Sequence, residues 1–183
     1  MSALTLHWPG HTLTLSPGQF TPCPLGDADP QALAHALAAA LQAHGQIVLG
    51  LPASGGLLSL LTVADNLTLA ARYHDLADWP TLDRQLPALL QALAVPEARW
   101  PALMQALPQH LSPAEQRVVL LLRARLTPGA AWVIDSGFFS RQSPSERRRS
   151  LALLTQALPG RYAVWLSHDT PPDEGDAQHA RPA

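Results

Sequence analysis

The chain has 183 residues, of which 12 are basic, 14 acidic and 8 histidine, for a formal net charge of −2 at pH 7. That length suits one domain with a real core. Apart from Arg147–Arg149 the basic residues are scattered, which argues against a nucleic-acid-binding surface built on a basic stripe. Every basic residue is arginine, so neither Schiff-base chemistry nor a phosphate-gripping lysine is available. The single cysteine, Cys23, excludes an internal disulfide and a thiolate zinc cluster. With Pro22 and Pro24 on either side, it reads as a buried structural thiol. No signal peptide is recognisable and no apolar run approaches the roughly 18 residues of a membrane span. The expected location is cytosolic.

Taken in order, Ala3–His7 and His11–Leu15 alternate as strands around a Trp8-Pro9-Gly10 turn. Gln19–Cys23 is a candidate third strand, with two prolines nearby weighing against it. The loop Leu25–Pro30 opens an alanine-rich helix over Pro30–Gln42, with Asp29 as N-cap and Pro30 at the first helical position. A strand follows at Gln46–Leu51. Next come the loop Pro52–Gly56 and a helix from Thr62 to about His74. Two short helices, Leu82–Leu93 and Glu97–Leu107, are separated by Pro96.

Leu111–Asp135 is the most structured stretch. Ser112 is an N-cap, Pro113 a first helical residue, and Glu115 stands where its carboxylate reaches back to the cap. Val118, Val119, Leu121, Leu122 and Leu126 then keep helical rhythm, with Arg117, Arg123 and Arg125 interleaved. After Thr127-Pro128-Gly129, Ala130–Ile134 forms a buried strand that ends on Asp135. A carboxylate at the C-terminal end of such a strand lies where open α/β sheets bind ligands. Ser143–Glu146 repeats the capping pattern for a helix to about Leu158, and Tyr162–Leu166 is a second buried strand running into Ser167-His168-Asp169. Thr170–Ala183 is polar and rich in proline and acid, the composition of a disordered tail. The alternation predicts an α/β fold with a mostly parallel sheet and flanking helices. It is read as one domain over 1–169, with a helical subdomain over about 62–126.

Five segments, in order, resemble the ATP-binding cassette (ABC) nucleotide-binding subunits of transporters. LSPAEQR is similar to the family's signature LSGGQxQR, and WVIDSGFF to its Walker B strand with the metal-binding acid and following Glu-Pro. SRQSPSERRRSLALL is similar to the next loop and helix, and VWLSHD to the strand and histidine of the switch segment. GGLLSLLTVADNLTLAARYH resembles the stretch after the family's Q-loop, especially in cassettes of Mce-type phospholipid transporters. The resemblance covers Leu4–Asp169 and implies a P-loop NTPase-like fold with a small helical subdomain. Nucleotide-handling positions that persist are Gly26, Ser112, Gln116, Asp135 and His168.

The departures fall on the chemistry. The family's phosphate loop, G-x-x-x-x-G-K-[ST], holds phosphate on backbone N–H groups and a lysine. Its counterpart here is Gly26–Leu33, in which Gln31, Ala32 and Leu33 stand at the second glycine, the lysine and the hydroxyl. Asp27 and Asp29 add negative charge, at a cost of about 1–4 kcal/mol for each like-charge contact in a partly dry site. The Q-loop glutamine falls near Ala53, the general base at Ser136, and the acid of the loop after Walker B at Gln142. Pro113 and Glu115 interrupt the signature.

The resemblance therefore implies a degenerate cassette with no catalytic residue, no metal site and no cofactor. ATP and Mg2+ enter only if an atypical phosphate loop still functions. Its partners would be a membrane permease, an active cassette, or both, in a bacterial transporter with lipid among its cargo classes. It would be cytoplasmic and peripheral to the inner membrane through that partner. Leu57, Leu58, Leu60 and Leu61 follow a glycine pair in the region that meets the permease in this family; a run so apolar is either core or docking surface. A stand-alone binding module is the other alternative. A Ser136–His168 hydrolase with Asp169 or Asp173 lacks the G-x-S-x-G frame, since the residues are Ile134-Asp135-Ser136-Gly137-Phe138.

Overall fold

The structure, a computed structural model, describes residues 2–8, 11–76 and 79–167. Pro9 and Gly10 of the expected turn, His168, and the tail from 170 lie outside the described residues. The chain divides into two compact units: a sheet unit of Met1–Ser54, Gly129–Arg141 and Thr155–Ala183, and a helical unit of Gly55–Pro128 and Gln142–Leu154.

In the sheet unit, β1 (Leu4–Trp8) and β2 (His11–Leu15) form an antiparallel hairpin in the register Leu4↔Leu15 to Trp8↔His11. This hairpin is a separate two-stranded sheet. The main sheet has four parallel strands in the order β3 (Phe20–Pro24), β6 (Ala163–Ser167), β5 (Ala131–Asp135), β4 (Val48–Leu51). β5 and β6 alternate between two buried faces, as strands covered on both sides must. Ala131, Val133, Val164 and Leu166 join one cluster with Leu6, Leu15, Cys23 and the α1 (Pro30–Ala43) residues Leu37 and Leu41. The opposite parity carries Trp132 and Trp165. Phe139 stacks on Trp165 at 5.1 Å between ring centroids, and Arg161 lies over Trp132 at 5.0 Å.

The prolines of β3 are explained by its edge position. In a parallel strand successive N–H groups point to opposite sides. Leu25 donates its N–H to Ser167 O at 3.1 Å, so the residues in phase with it, Thr21 and Cys23, face β6. Pro22 and Pro24 therefore fall on the outer side, where they remove donors that could recruit another strand. Cys23 is buried, and burial pushes its thiol pKa up.

The helical unit holds α2 (Val63–Tyr73), α3 (Trp79–Ala92), α4 (Trp100–Gln105), α5 (Pro113–Leu126) and the start of α6 (Pro144–Ala157), with α2 and α3 packed on α5. Two differences from the sequence reading have local causes. The helix expected over Glu97–Leu107 is a 3-10 turn, Glu97–Arg99, followed by α4. Pro101 lacks the N–H that a continuous helix would donate to Glu97. α5 is not a one-sided amphipathic helix, because Val119–Leu122, Ala124 and Leu126 are all buried. Arg123 shares that environment, and burial lowers its guanidinium pKa.

Leu41 is fully buried in the α1–sheet core. Leu41→Ala is expected to destabilise the protein by about 2–5 kcal/mol, read as a lowered urea midpoint with an unchanged slope.

Candidate functional site

Parallel strands bring their carboxyl ends to one edge of the sheet. At that edge β3 runs into Gly26, β4 into Pro52-Ala53, and β5 into Ser136. Gly26 takes φ +53, the left-handed turn that glycine allows without strain. Ala28 N–H closes the turn on Leu25 O at 3.0 Å. Asp29 then caps α1, with its carboxylate Oδ2 accepting the Ala32 N–H at 2.8 Å. A helix N-terminus attracts anions through its unpaired N–H groups and the partial positive charge of the dipole. Here the anion is part of the chain. Pro30 has no N–H to offer, and Leu33 N–H goes to Asp29 O at 3.0 Å. Asp27, also in the loop, is exposed.

At the end of β5, Asp135 Oδ1 accepts the Gly137 N–H at 2.8 Å and so starts a 3-10 turn, Ser136–Phe139. Gly137 is there for space: a Cβ on it would lie 2.9 Å from Ala53 Cβ and 3.1 Å from Asp135 Oδ1. Ala53, near the position matching the Q-loop glutamine, is exposed and lies beside this turn. Ser136 is half-buried at the head of this turn, and its supposed partner His168 lies outside the described residues. Among the described residues, no three His, Cys, Asp or Glu side chains converge as a metal site would require.

The other two persistent positions belong to the helical unit. Ser112 and Glu115 form the complete capping box: Ser112 N–H and hydroxyl donate to Glu115 Oε2 at 2.8 and 2.9 Å, and Ser112 Oγ accepts Glu115 N–H at 3.2 Å. Arg99 Nε donates to Glu115 Oε1 at 2.8 Å. Burial pushes the Glu115 carboxyl up, but the Ser112 and Arg99 hydrogen bonds and the Arg99 charge outweigh it and hold the group below its ordinary value. Gln116 Nε2 donates to Pro108 O at 3.0 Å, tying down the preceding turn. Gly26, Ser112, Gln116 and Asp135 each serve local structure, and they sit in two different compact units.

The leucine loop is built from one buried side chain, Asn66. Its Nδ2 donates to Leu58 O, Leu61 O and Thr62 O, each at 3.0 Å, and its Oδ1 accepts Leu58 N–H at 2.8 Å. Thr62 caps α2 through Asp65 N–H. This clamp leaves Leu57 and Leu61 half-buried, Leu58 51% exposed and Leu60 90% exposed. Leu69 and Tyr73, one turn apart on α2, are also exposed.

Sequence reasoning missed the Arg99–Glu115 pair and the weight carried by Asn66. The first joins residues 16 apart and leaves no local pattern. The second had a signal, because an asparagine four residues after a threonine cap is poor helix chemistry unless its amide is in use. Arg147 and Arg148 are exposed, as a solvated face requires, but Arg149 is half-buried with its Nε enclosed.

Because Glu115 has a depressed pKa in the folded chain, its stabilisation is fully present above the unfolded-state pKa and is lost as pH falls through the folded value. Urea midpoints measured from neutral to acid pH should show Glu115→Gln less stable by about 1 kcal/mol at neutrality. The gap should narrow below about pH 4.

No protein-family model matches the sequence, and no curated protein matches it. Solved structures do. One is an ATP-binding subunit of an ABC transporter, 19% identical, covering 90% of this chain and 77% of that one at a TM-score of 0.64. A second, from Pyrococcus furiosus, is described as an ABC transporter ATP-binding protein; it is 14% identical, covering 91% and 89% at 0.65. A third is a metal-chelate type ABC transporter in an inward-facing conformation, 16% identical, covering 92% and 74% at 0.58. The chain has the α/β fold of an ABC transporter ATP-binding cassette, with its parallel sheet and flanking helices.

Proposed function

We propose that this chain is a degenerate cassette, a structural or regulatory partner in a membrane transporter that does not itself hydrolyse ATP. One observation carries the reading: the Asp29 carboxylate holds the N-terminus of α1, 2.8 Å from Ala32 N, at the place where the fold would seat a phosphate. A triphosphate there would displace this carboxylate and meet its charge and that of Asp27, with no lysine anywhere in the chain to compensate. Asp135 is turned onto Gly137, and Ala53 replaces the side chain that would reach a cation. One carboxylate falls short of the several oxygen ligands that magnesium takes. The residues present do not fit Mg-ATP, so no catalytic step is assigned.

The partner is proposed to be a membrane permease, an active cassette, or both. The support is the leucine loop: Asn66 ties its backbone through four hydrogen bonds while Leu58 and Leu60 are exposed. Ordering cost opposes association, and a clamped apolar loop has already met much of it in folding. No helix among the described residues is long and apolar enough to cross a membrane, so attachment would run through that partner, at the cytoplasmic face of the inner membrane. The likeness of Gly55–His74 to cassettes of Mce-type phospholipid transporters makes lipid the proposed cargo class.

Equilibrium dialysis or calorimetry with Mg-ATP should give no binding below millimolar concentration; low-micromolar affinity would overturn the non-catalytic reading. In pull-downs from the native membrane fraction, the wild-type chain should capture a permease identified by mass spectrometry. Leu58→Asp with Leu60→Asp should reduce that capture at least about tenfold, with stability changed by about 0.5 kcal/mol or less per exposed site. Undiminished capture would remove the docking loop, and no capture at all would favour a stand-alone binding module.

A further inference from the structure

The main sheet ends on β3 at one side and on β4 at the other, and the two edges are built differently. On β3 the outward positions are Pro22 and Pro24, which offer no donor to a further strand. On β4, Ile47 O accepts the Ala131 N–H at 2.8 Å, so the groups in phase with it, at Leu49 and Leu51, face β5. The N–H and C=O of Val48 and Gly50 therefore point away from the sheet, and among the described residues no strand lies beyond them.

This open stretch is short and bounded at both ends. Gln46, in the same phase, gives its N–H to Leu41 O at 3.1 Å, and Pro52 has none to give. No charged residue occurs from Gln46 to Ala64, so two such edges meet without like-charge repulsion. Gly50 is exposed, and nothing inside the chain calls for glycine there. Its φ is not left-handed, and a Cβ on it would meet only Pro52 Cδ, at 4.0 Å. A glycine inside a strand without such a cause marks a place where another backbone comes close.

We propose that β4 pairs antiparallel with β4 of a second copy of this chain, on a two-fold axis at Leu49, joining two four-stranded sheets into one. Val48 and Gly50 of the partner subunit would exchange both N–H···O bonds, and the symmetric pair would repeat them. Val48, half-buried beside the α1 core, lies on the same sheet face as Gly50. In this register its side chain would cover Gly50 of the partner subunit. The prolines of β3 stop the joined sheet from growing further, which closes the assembly at two copies. So short a strand contact falls in the weak class of interfaces, with micromolar affinity. The proposal is independent of the transporter reading.

Sedimentation velocity on the full chain, with amide hydrogen exchange followed by NMR at low and high protein concentration, tests it. A dimer should form as concentration rises, with exchange at the Val48 and Gly50 amides slowed at least about tenfold. The Leu49 and Leu51 amides, already bonded to β5, should not change. Gly50→Pro removes an outward donor as Pro22 and Pro24 do on β3, and should weaken the dimer at least about tenfold. If that variant does not fold, exchange in the wild-type chain decides. A chain still monomeric at about 1 mM would overturn the proposal. So would a dimer whose Val48 and Gly50 amides exchange as in the monomer, or a Gly50→Pro dimer of unchanged affinity. Protection of these amides only after a membrane fraction is added would give the edge to a foreign strand and overturn it equally.

Discussion

The positive end of a buried-sheet α/β helix has to be answered, and in this chain the answer is Asp29. The first turn of α1 presents N–H groups and the dipole toward the carboxyl edge of the sheet, where a fold of this kind can take a phosphate. The Asp29 carboxylate occupies that end at 2.8 Å from Ala32 N, and Pro30 removes another donor. The loop from Gly26 to Pro30 becomes a helix cap. At the same edge Asp135 bonds its own turn at Gly137, beside the exposed Ala53.

The helical unit repeats the same economy. Ser112 and Gln116 keep the identities that resemble a nucleotide-sensing signature, yet both are engaged within a few residues of themselves, Ser112 in a capping box with Glu115 and Gln116 on Pro108 O. Arg99 then neutralises the carboxylate that the box introduces. By contrast, the Asn66 clamp spends four hydrogen bonds on fixing a loop whose leucines point outward. That contrast, inward use of the polar positions and outward use of the apolar ones, is what favours a docking role over a chemical one.

Much of the architecture was legible in the residues. The Asp29-Pro30 and Ser112-Pro113 starts, the Thr62 cap, and the apolar runs of β5 and β6 each declare themselves within a few positions, because capping and strand burial are local chemistry. The boundaries drifted at Pro101, where proline interrupts the helical donors, and at the start of α3, which begins at Trp79 rather than Leu82. β3 looked doubtful from its prolines and became intelligible only with its edge position and the phase of its N–H groups.

The sequence by itself determined the α/β class, the helix caps, the absence of lysine and the charge in the phosphate-type loop. The class is read from the order of strands and helices along the chain; the others are properties of residue type or of neighbours within four positions. Tertiary structure decided what those residues do. It turned Asp135 onto Gly137 beside Ala53, paired Arg99 with Glu115, exposed Leu58 and Leu60 while half-burying Leu57 and Leu61, and buried Arg149 Nε and Gln142 Oε1. Most of these outcomes depend on elements distant in sequence meeting in space. A side chain's charge and shape are written in its own letter, but its partners and its exposure are set by the packing of the whole chain.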